Sequence, residues 1–277
     1  MTDLRAAATA AGGGEAVERR RFATADRNEG GERRFAYILK EDPDLAQGLT
    51  DEDRRVAAEV LRAPVMFVRS PRWTPPESMP ANCLGLLVLD GLLGRRLRVG
   101  PAVATELLSY GDILRPWDQP AAWNLIPPEL DWRVFRPARL AVLDERVTNL
   151  ICRRAELVNA FTSRLLRRAH YGQYLMAISH LTRVEDKLLA TLWHIASSWG
   201  RVTPHGVTIP FRLTHEVLGE ILGAQRPSVT QAMGQLQQRN EVVRAADGRY
   251  VLTGDPAQWG PRRWPDRRGG GGAPRLA

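Results

Sequence analysis

Residues 213–243 read LTHEVLGEILGAQRPSVTQAMGQLQQRNEVV, a stretch that resolves into two helices and a turn. Thr214 can cap a first helix whose apolar face is Val217, Leu218, Ile221 and Leu222. Gly223 then supplies the backbone freedom for a tight helix-ending turn. The second helix begins near Arg226, tolerates Pro227 in its first turn, where no N–H is needed, and buries Val229, Ala232, Met233 and Leu236. Arg226, Ser228, Gln231 and Gln235 remain available to face outward. The N-terminal end of this helix is polar but not acidic. Entry into a DNA major groove demands this, since side chains there donate to base edges while helix-end amides meet phosphate.

Beyond the helix pair, VVRAADGRYVL (242–252) reads as a hairpin turning at Ala246, Asp247 and Gly248, and Val207–Phe211 reads as a short strand ahead of it. Strand, helix, turn, helix and hairpin describe a winged helix-turn-helix. Residues 183–199 add an amphipathic helix with Val184, Leu188, Leu192 and Ile195 on one face. His194 on that helix reads as a core-edge residue, because no second histidine stands at the spacing a helical metal site needs.

Further upstream, Asp144 can cap a helix in a segment free of proline until Pro204. Val147, Leu150, Leu157, Phe161 and Leu165 recur at spacings of three, four or seven, while Arg153, Arg154, Arg164, Arg167 and Arg168 can snorkel or stay outside. The spacing predicts one long helix with a break before Thr182 and a coiled-coil-like stripe that pairs with a second copy of the chain. Before it, VMFVRS, NCLGLLVLDGLLGRRLRVG, AVATELLSYGDILRPW and WRVFRPARLAVLD are short apolar runs punctuated by Gly, Pro and charge, the signature of an all-β unit. TDEDRRVAAEVLRAP, from Thr50, reads as a short capped helix with Val56, Val60 and Leu61 at helical spacing, stopped by Pro64.

The expected fold is therefore α+β. A disordered N-terminal segment (1–35) precedes a double-stranded β-helix or jelly-roll-like sensor barrel (36–143), a dimerisation helix (144–181), the winged domain (182–253) and a disordered basic tail (254–277).

The formal net charge of +8 suggests a polyanionic partner, but residues 202–253 carry only +1, five arginines against four carboxylates. Pattern rather than charge points to nucleic acid. No run of about 18 apolar residues and no signal-peptide core are present, so a cytoplasmic protein without membrane contact is expected. The two cysteines, Cys83 and Cys152, are too few and too far apart for a disulfide framework, a zinc site or a four-cysteine cluster, and both are expected to be buried. No nucleophile elbow, phosphate loop or zinc-protease motif occurs, and no enzyme activity is expected.

LTHEVLGEILGAQRPSVTQAMGQL resembles the corresponding segment of the Crp/Fnr family of bacterial transcription regulators. GLLVLDGLLGRRL, LLSYGDIL and ARLAVLD resemble strands of that family's cyclic-nucleotide-binding-like barrel. The resemblance covers roughly Asp42 to Leu252 and implies a homodimer that reads a near-palindromic site in double-stranded DNA, with RNA polymerase as a further partner. It makes Arg226 a base-reading residue, puts Gln231 on the same surface, sets Gln225 and Ser228 near phosphates, and makes Thr214 and His215 backbone contacts. Pro227 stands where well-studied members carry Glu, and Gln231 where they carry Arg, so their DNA consensus does not transfer. The family's cyclic-nucleotide cassette is not recognisable in RPWDQPAAWNLIPPELDWRVFRP, so cAMP is not expected as effector and no cofactor is assigned. Arg115, Trp117, Trp123 and Trp132 either line a pocket for a flat effector or simply fill the barrel and its edge. The alternative to DNA binding is an effector-sensing or interaction module whose winged domain docks a protein.

Overall fold

The computed structural model describes residues 35–69, 71–118 and 125–254. Trp123, the N-terminal segment before Phe35 and the tail beyond Gly254 lie outside the described residues. The chain divides into two compact units, one running to Pro101 and from Thr105 to His170, the other comprising Ala102–Ala104 and the chain from Tyr171.

In the first unit, β1 (Phe35–Tyr37), α1 (Ile38–Glu41), a 3-10 turn (Pro43–Ala46) and α2 (Asp51–Val60) lead into the strands. These are β2 (Arg62–Val68), β3 (Gly85–Val99), β4 (Ala102–Ser109), β5 (Ile113–Leu114) and β6 (Glu129–Leu143). The sheet order is β1-β2-β6-β3-β4, with β5 paired to β3. The long pair β3 and β6 runs antiparallel from Gly85 opposite Leu143 to Arg98 opposite Glu129, with register shifts between Val88 and Leu93. Gly91 lies in that irregular stretch at φ +107, where a β-carbon would overlap the Ala138 backbone, so the bend requires glycine.

Alternation along these strands feeds two cores. Leu87 and Leu89 of β3 join Ala141 and Leu143 of β6 in a cluster with Ile38, Leu45 and Leu61. Their neighbours Leu86, Val88, Leu140 and Val142 point the other way, to Leu93, Leu108 and Trp132. Burial on both faces is why GLLVL is apolar at every position. Thr50 caps α2 by accepting the Asp53 N–H at 3.1 Å, as expected. Val56 and Val60 are nevertheless exposed, and Ala57 and Leu61 are the residues that reach the core.

After β6 the expected single long helix is two. Asp144 caps α3 (Glu145–Cys152), accepting the Val147 N–H at 3.0 Å, and α4 (Ala155–Ser179) follows after a break at Arg153 and Arg154. The break has a geometric cause. Val147 and Ile151 face the core, and so do Leu157 and Phe161, but six residues separate Ile151 from Leu157. On a continuous helix the second pair, ten residues beyond the first, would be turned away from it by about 80°. Interrupting the helix restores the phase.

Charged side chains also tie α4 to its own sheet unit. Arg164, which helical spacing left free to snorkel or stay outside, is 9% exposed, and its Nη2 donates to both oxygens of the buried Asp42 at 2.7 and 3.0 Å. Burial pushes the Asp42 carboxyl up, and the Arg164 guanidinium opposes that shift. Arg168 donates to Glu106 at 2.8 and 3.1 Å and to the Ile113 carbonyl at 2.7 Å, and Arg95 adds a second cation to Glu106 at 2.7 Å. Burial alone would raise Glu106, but these arginines hold it below the ordinary carboxylate range. Cys83 is buried as expected, whereas Cys152, at the end of α3, is exposed.

The second unit contains α5 (Val184–Trp199), β7 (Arg201–Thr203), β8 (Gly206–Thr208), α6 (His215–Leu222), α7 (Arg226–Gln238), β9 (Val242–Arg244) and β10 (Tyr250–Leu252). The strands form an antiparallel sheet in the order β7-β8-β10-β9, against which the β7–β8 hairpin adds a strand not anticipated from sequence. The strand expected over Val207–Phe211 stops at Thr208. Ile209 still donates to the Tyr250 carbonyl at 2.9 Å, but Pro210 has no N–H with which to continue the ladder. His194 sits half-buried between the rings of Tyr171 and Tyr174, each 4.9 Å away between centroids, and burial lowers its pKa. Among the described residues, no helix is long and apolar enough to cross a membrane.

Candidate nucleic-acid interface

Local chemistry positions α6 and α7. Thr214 accepts the Val217 N–H at 3.2 Å, and Val217, Leu218 and Leu222 are buried. Gly223 ends α6 in the left-handed region at φ +67, which an L side chain resists, and the Ala224 N–H closes the turn onto the Gly219 carbonyl at 2.9 Å. Gln225 is extended and opens α7 without a side-chain capping bond. The free first-turn amides of α7 therefore have no acceptor from their own cap, which suits them to an anion.

Val229, Ala232, Met233 and Leu236 are buried, as their spacing predicts, and α7 packs against α5 and α6. The opposite face presents Gln225, Arg226, Pro227, Thr230 and Gln231 to solvent, with Ser228 and Gln235 half-buried. The expected contact residues Gln225, Arg226, Ser228 and Gln231 thus stand together at the N-terminal end of one helix. Thr214, exposed, and His215, half-buried, flank it from the start of α6.

A hydrogen bond joins the two helices. His215 Nδ1 lies 2.8 Å from Thr230 Oγ1, and that hydroxyl reaches the Arg226 carbonyl one turn back at 3.0 Å. Thr230 escaped the sequence reading, although its position four residues after Arg226 puts it on the same face. Burial, then the charges of Arg244 and Arg226, lower the His215 pKa. On the wing, Gly248 turns the β9–β10 hairpin at φ +80, and Asp247 is held by Arg249 at 2.5 Å. The hydrogen bonds from Arg249 keep the Asp247 carboxyl below its usual range.

Two groups of expected residues have other duties. Arg115 donates to the Cys83 carbonyl at 2.7 Å and the Leu84 carbonyl at 3.1 Å, forms an ion pair with Asp118, and stands 5.5 Å over the Trp117 ring. Trp117 packs on the inner core and Trp132 is part of it, edge-on to Trp73. For these residues the geometry supports the filling role over a pocket. Of the residues expected on the dimer seam, Val147, Leu157 and Phe161 are buried in the core of their own unit, and Leu150 packs against it. Only Leu165 is exposed. Chain-internal apolar partners took the face that helical spacing had offered to a second copy.

Residues 186–257 match the family model of the Crp-like helix-turn-helix domain. A regulatory protein CysR from Synechococcus elongatus is 32% identical over 83 residues, which is 29% of this chain and 40% of that protein. The chain thus spans well under half the length of this curated relative. A mutant of CooA from Carboxydothermus hydrogenoformans superposes with a TM-score of 0.56 at 14% identity, covering 82% of this chain and 90% of that one. A cyclic nucleotide-binding domain containing protein from Listeria monocytogenes gives 0.54 at 10% identity, covering 68% and 89%. Residues 186–257 are a Crp-like helix-turn-helix domain. The chain that carries it, with a sheet unit, connecting helices and a winged C-terminal unit, shares the fold of these two solved structures.

Proposed function

We propose that this protein is a sequence-specific DNA-binding transcription regulator that acts as a homodimer. The carrying observation is α7: a helix buried along one side, uncapped and non-acidic at its N-terminus, with Arg226 and Gln231 exposed beside a wing. Arg226 can take guanine O6 and N7 together, and Gln231 suits adenine, so a base preference follows from these two. Gln225, Ser228, Thr214 and His215 supply backbone contacts that fix the register. A wing that docks a protein has no comparable feature in its favour.

The seam of the dimer falls on the face of α4 turned away from its own core. Val158, Thr162, Leu165 and Ala169 are all exposed and step by four, three and four residues, and Gly172 and Met176 continue the rhythm. That is an uninterrupted heptad stripe without a charge, with small residues where two backbones can approach. Contact with RNA polymerase and a cytoplasmic location belong to the same reading. Selection from random DNA followed by footprinting tests it. An inverted repeat with half-sites about 34 Å apart is expected. Absence of any enriched or protected sequence overturns it.

A further inference from the structure

We infer that Arg212 and Arg244 form a clamp for DNA backbone phosphates beside α7, an inference that rests on the DNA-binding reading above. Neither residue lies on the two helices of the helix-turn-helix. Arg212 is in the segment between β8 and α6, and Arg244 ends β9 on the wing. The fold nonetheless brings them together: Arg212 Nε and Arg244 Nη2 lie 3.5 and 3.8 Å from the point where a β-carbon on Gly248 would stand. Both side chains are exposed. Arg244 also acts, with Arg226, on the His215 ring, which ties the wing to the start of α6 and the N-terminus of α7.

Like charges held this close repel, by about 1 kcal/mol or less in a water-like dielectric, unless an anion lies between them. The wing's own carboxylate, Asp247, makes its hydrogen bonds to Arg249 through both Nε (2.6 Å) and Nη2 (2.5 Å), and it also feels the charge of Arg212, so it offsets only part of that repulsion. A polyanion relieves the repulsion, and a guanidinium matches phosphate oxygens with paired donors. The cluster also accounts for the modest charge of residues 202–253. Three of that segment's five arginines (Arg212, Arg226 and Arg244) gather at one edge, so the local field is strong although the sum is small. Because Arg212 and Arg244 stand off the recognition helix, they position the duplex without reading it.

The full-length protein is titrated with its selected operator and with unrelated duplex across about 50 to 200 mM salt. Each lost phosphate contact removes about 0.9 from the slope of log K against log salt. In the dimer the double variant Arg212→Ala, Arg244→Ala loses these contacts in both protomers, about four contacts' worth of slope, so its affinity is expected to fall on the order of a hundredfold less across that range than the wild type's. Affinity at low salt should drop alike on operator and unrelated DNA, with base preference unchanged, and the double Lys variant should restore the slope. An Ala variant with the wild-type slope overturns the clamp while leaving DNA binding intact. Failure of the wild type itself to bind any duplex overturns both.

Discussion

Arg164 and Asp42, 122 residues apart in sequence, meet in a buried ion pair that holds α4 against the sheet unit. Arg168 and Glu106 repeat the arrangement one turn further along. Removing one partner of such a pair strands the other charge in a poorly solvated place. Arg164→Met is expected to destabilise by about 3–5 kcal/mol, whereas adding Asp42→Leu to it recovers most of the loss. Urea melts of the two single variants and the double variant close the cycle, and additive effects of the two substitutions would show that the pair is not coupled.

The same clamp decides which side of α4 is free. Leu165→Glu puts a charge into the heptad stripe at a site 40% exposed in the single chain. Dimer dissociation should rise at least tenfold by sedimentation equilibrium, with the thermal midpoint of the dilute protein little changed. Phe161→Ala is the contrasting variant. Its side chain lies in the chain's own core, so the cost is about 3–5 kcal/mol of folding stability. If Phe161→Ala weakens the dimer and leaves folding intact, the seam lies where helical spacing first put it.

Arg226→Ala removes the one guanidinium on the exposed end of α7. Selection from random DNA should then show relaxed preference at a single position of each half-site, at about 1–3 kcal/mol, with the salt slope changed far less than by the wing variant. A variant that loses affinity equally on every sequence would assign Arg226 to phosphate instead.

What could be read from sequence was chemistry carried by neighbours. The caps at Thr50, Asp144 and Thr214 form as expected, because each hydroxyl or carboxylate needs only an amide three residues on. Gly223 and the buried face of α7 follow equally local rules. Choices between equivalent faces were not legible. α4 carries apolar residues on two sides, and only a core assembled from distant elements decides that Leu157 and Phe161 go inward while Val158 and Leu165 stay out. Partners remote in sequence were equally hidden: nothing near Arg164 announces Asp42, and nothing near Gly248 announces Arg212.

His215 is expected to make DNA binding depend on pH through a hydrogen count. The Thr230 hydroxyl has one hydrogen and gives it to the Arg226 carbonyl, so the ring must donate from Nδ1 to Thr230 Oγ1. A neutral ring in that form has only a lone pair on Nε2, which repels phosphate. It becomes a donor by taking up a proton. In the free protein, burial and the charges of Arg244 and Arg226 hold the His215 pKa below 6.5, and a phosphate at Nε2 pushes it back up. The bound state therefore binds more protons than the free state through that window, and affinity must rise as pH falls. Between about pH 7.5 and 5.5 the dissociation constant should improve as pH falls, by at most about tenfold per pH unit for the one linked proton of each protomer. His215→Lys, charged throughout, should bind tightly with this dependence gone, and His215→Gln should bind weakly and also without it. A wild-type pH profile that persists in His215→Lys would place the titrating group elsewhere.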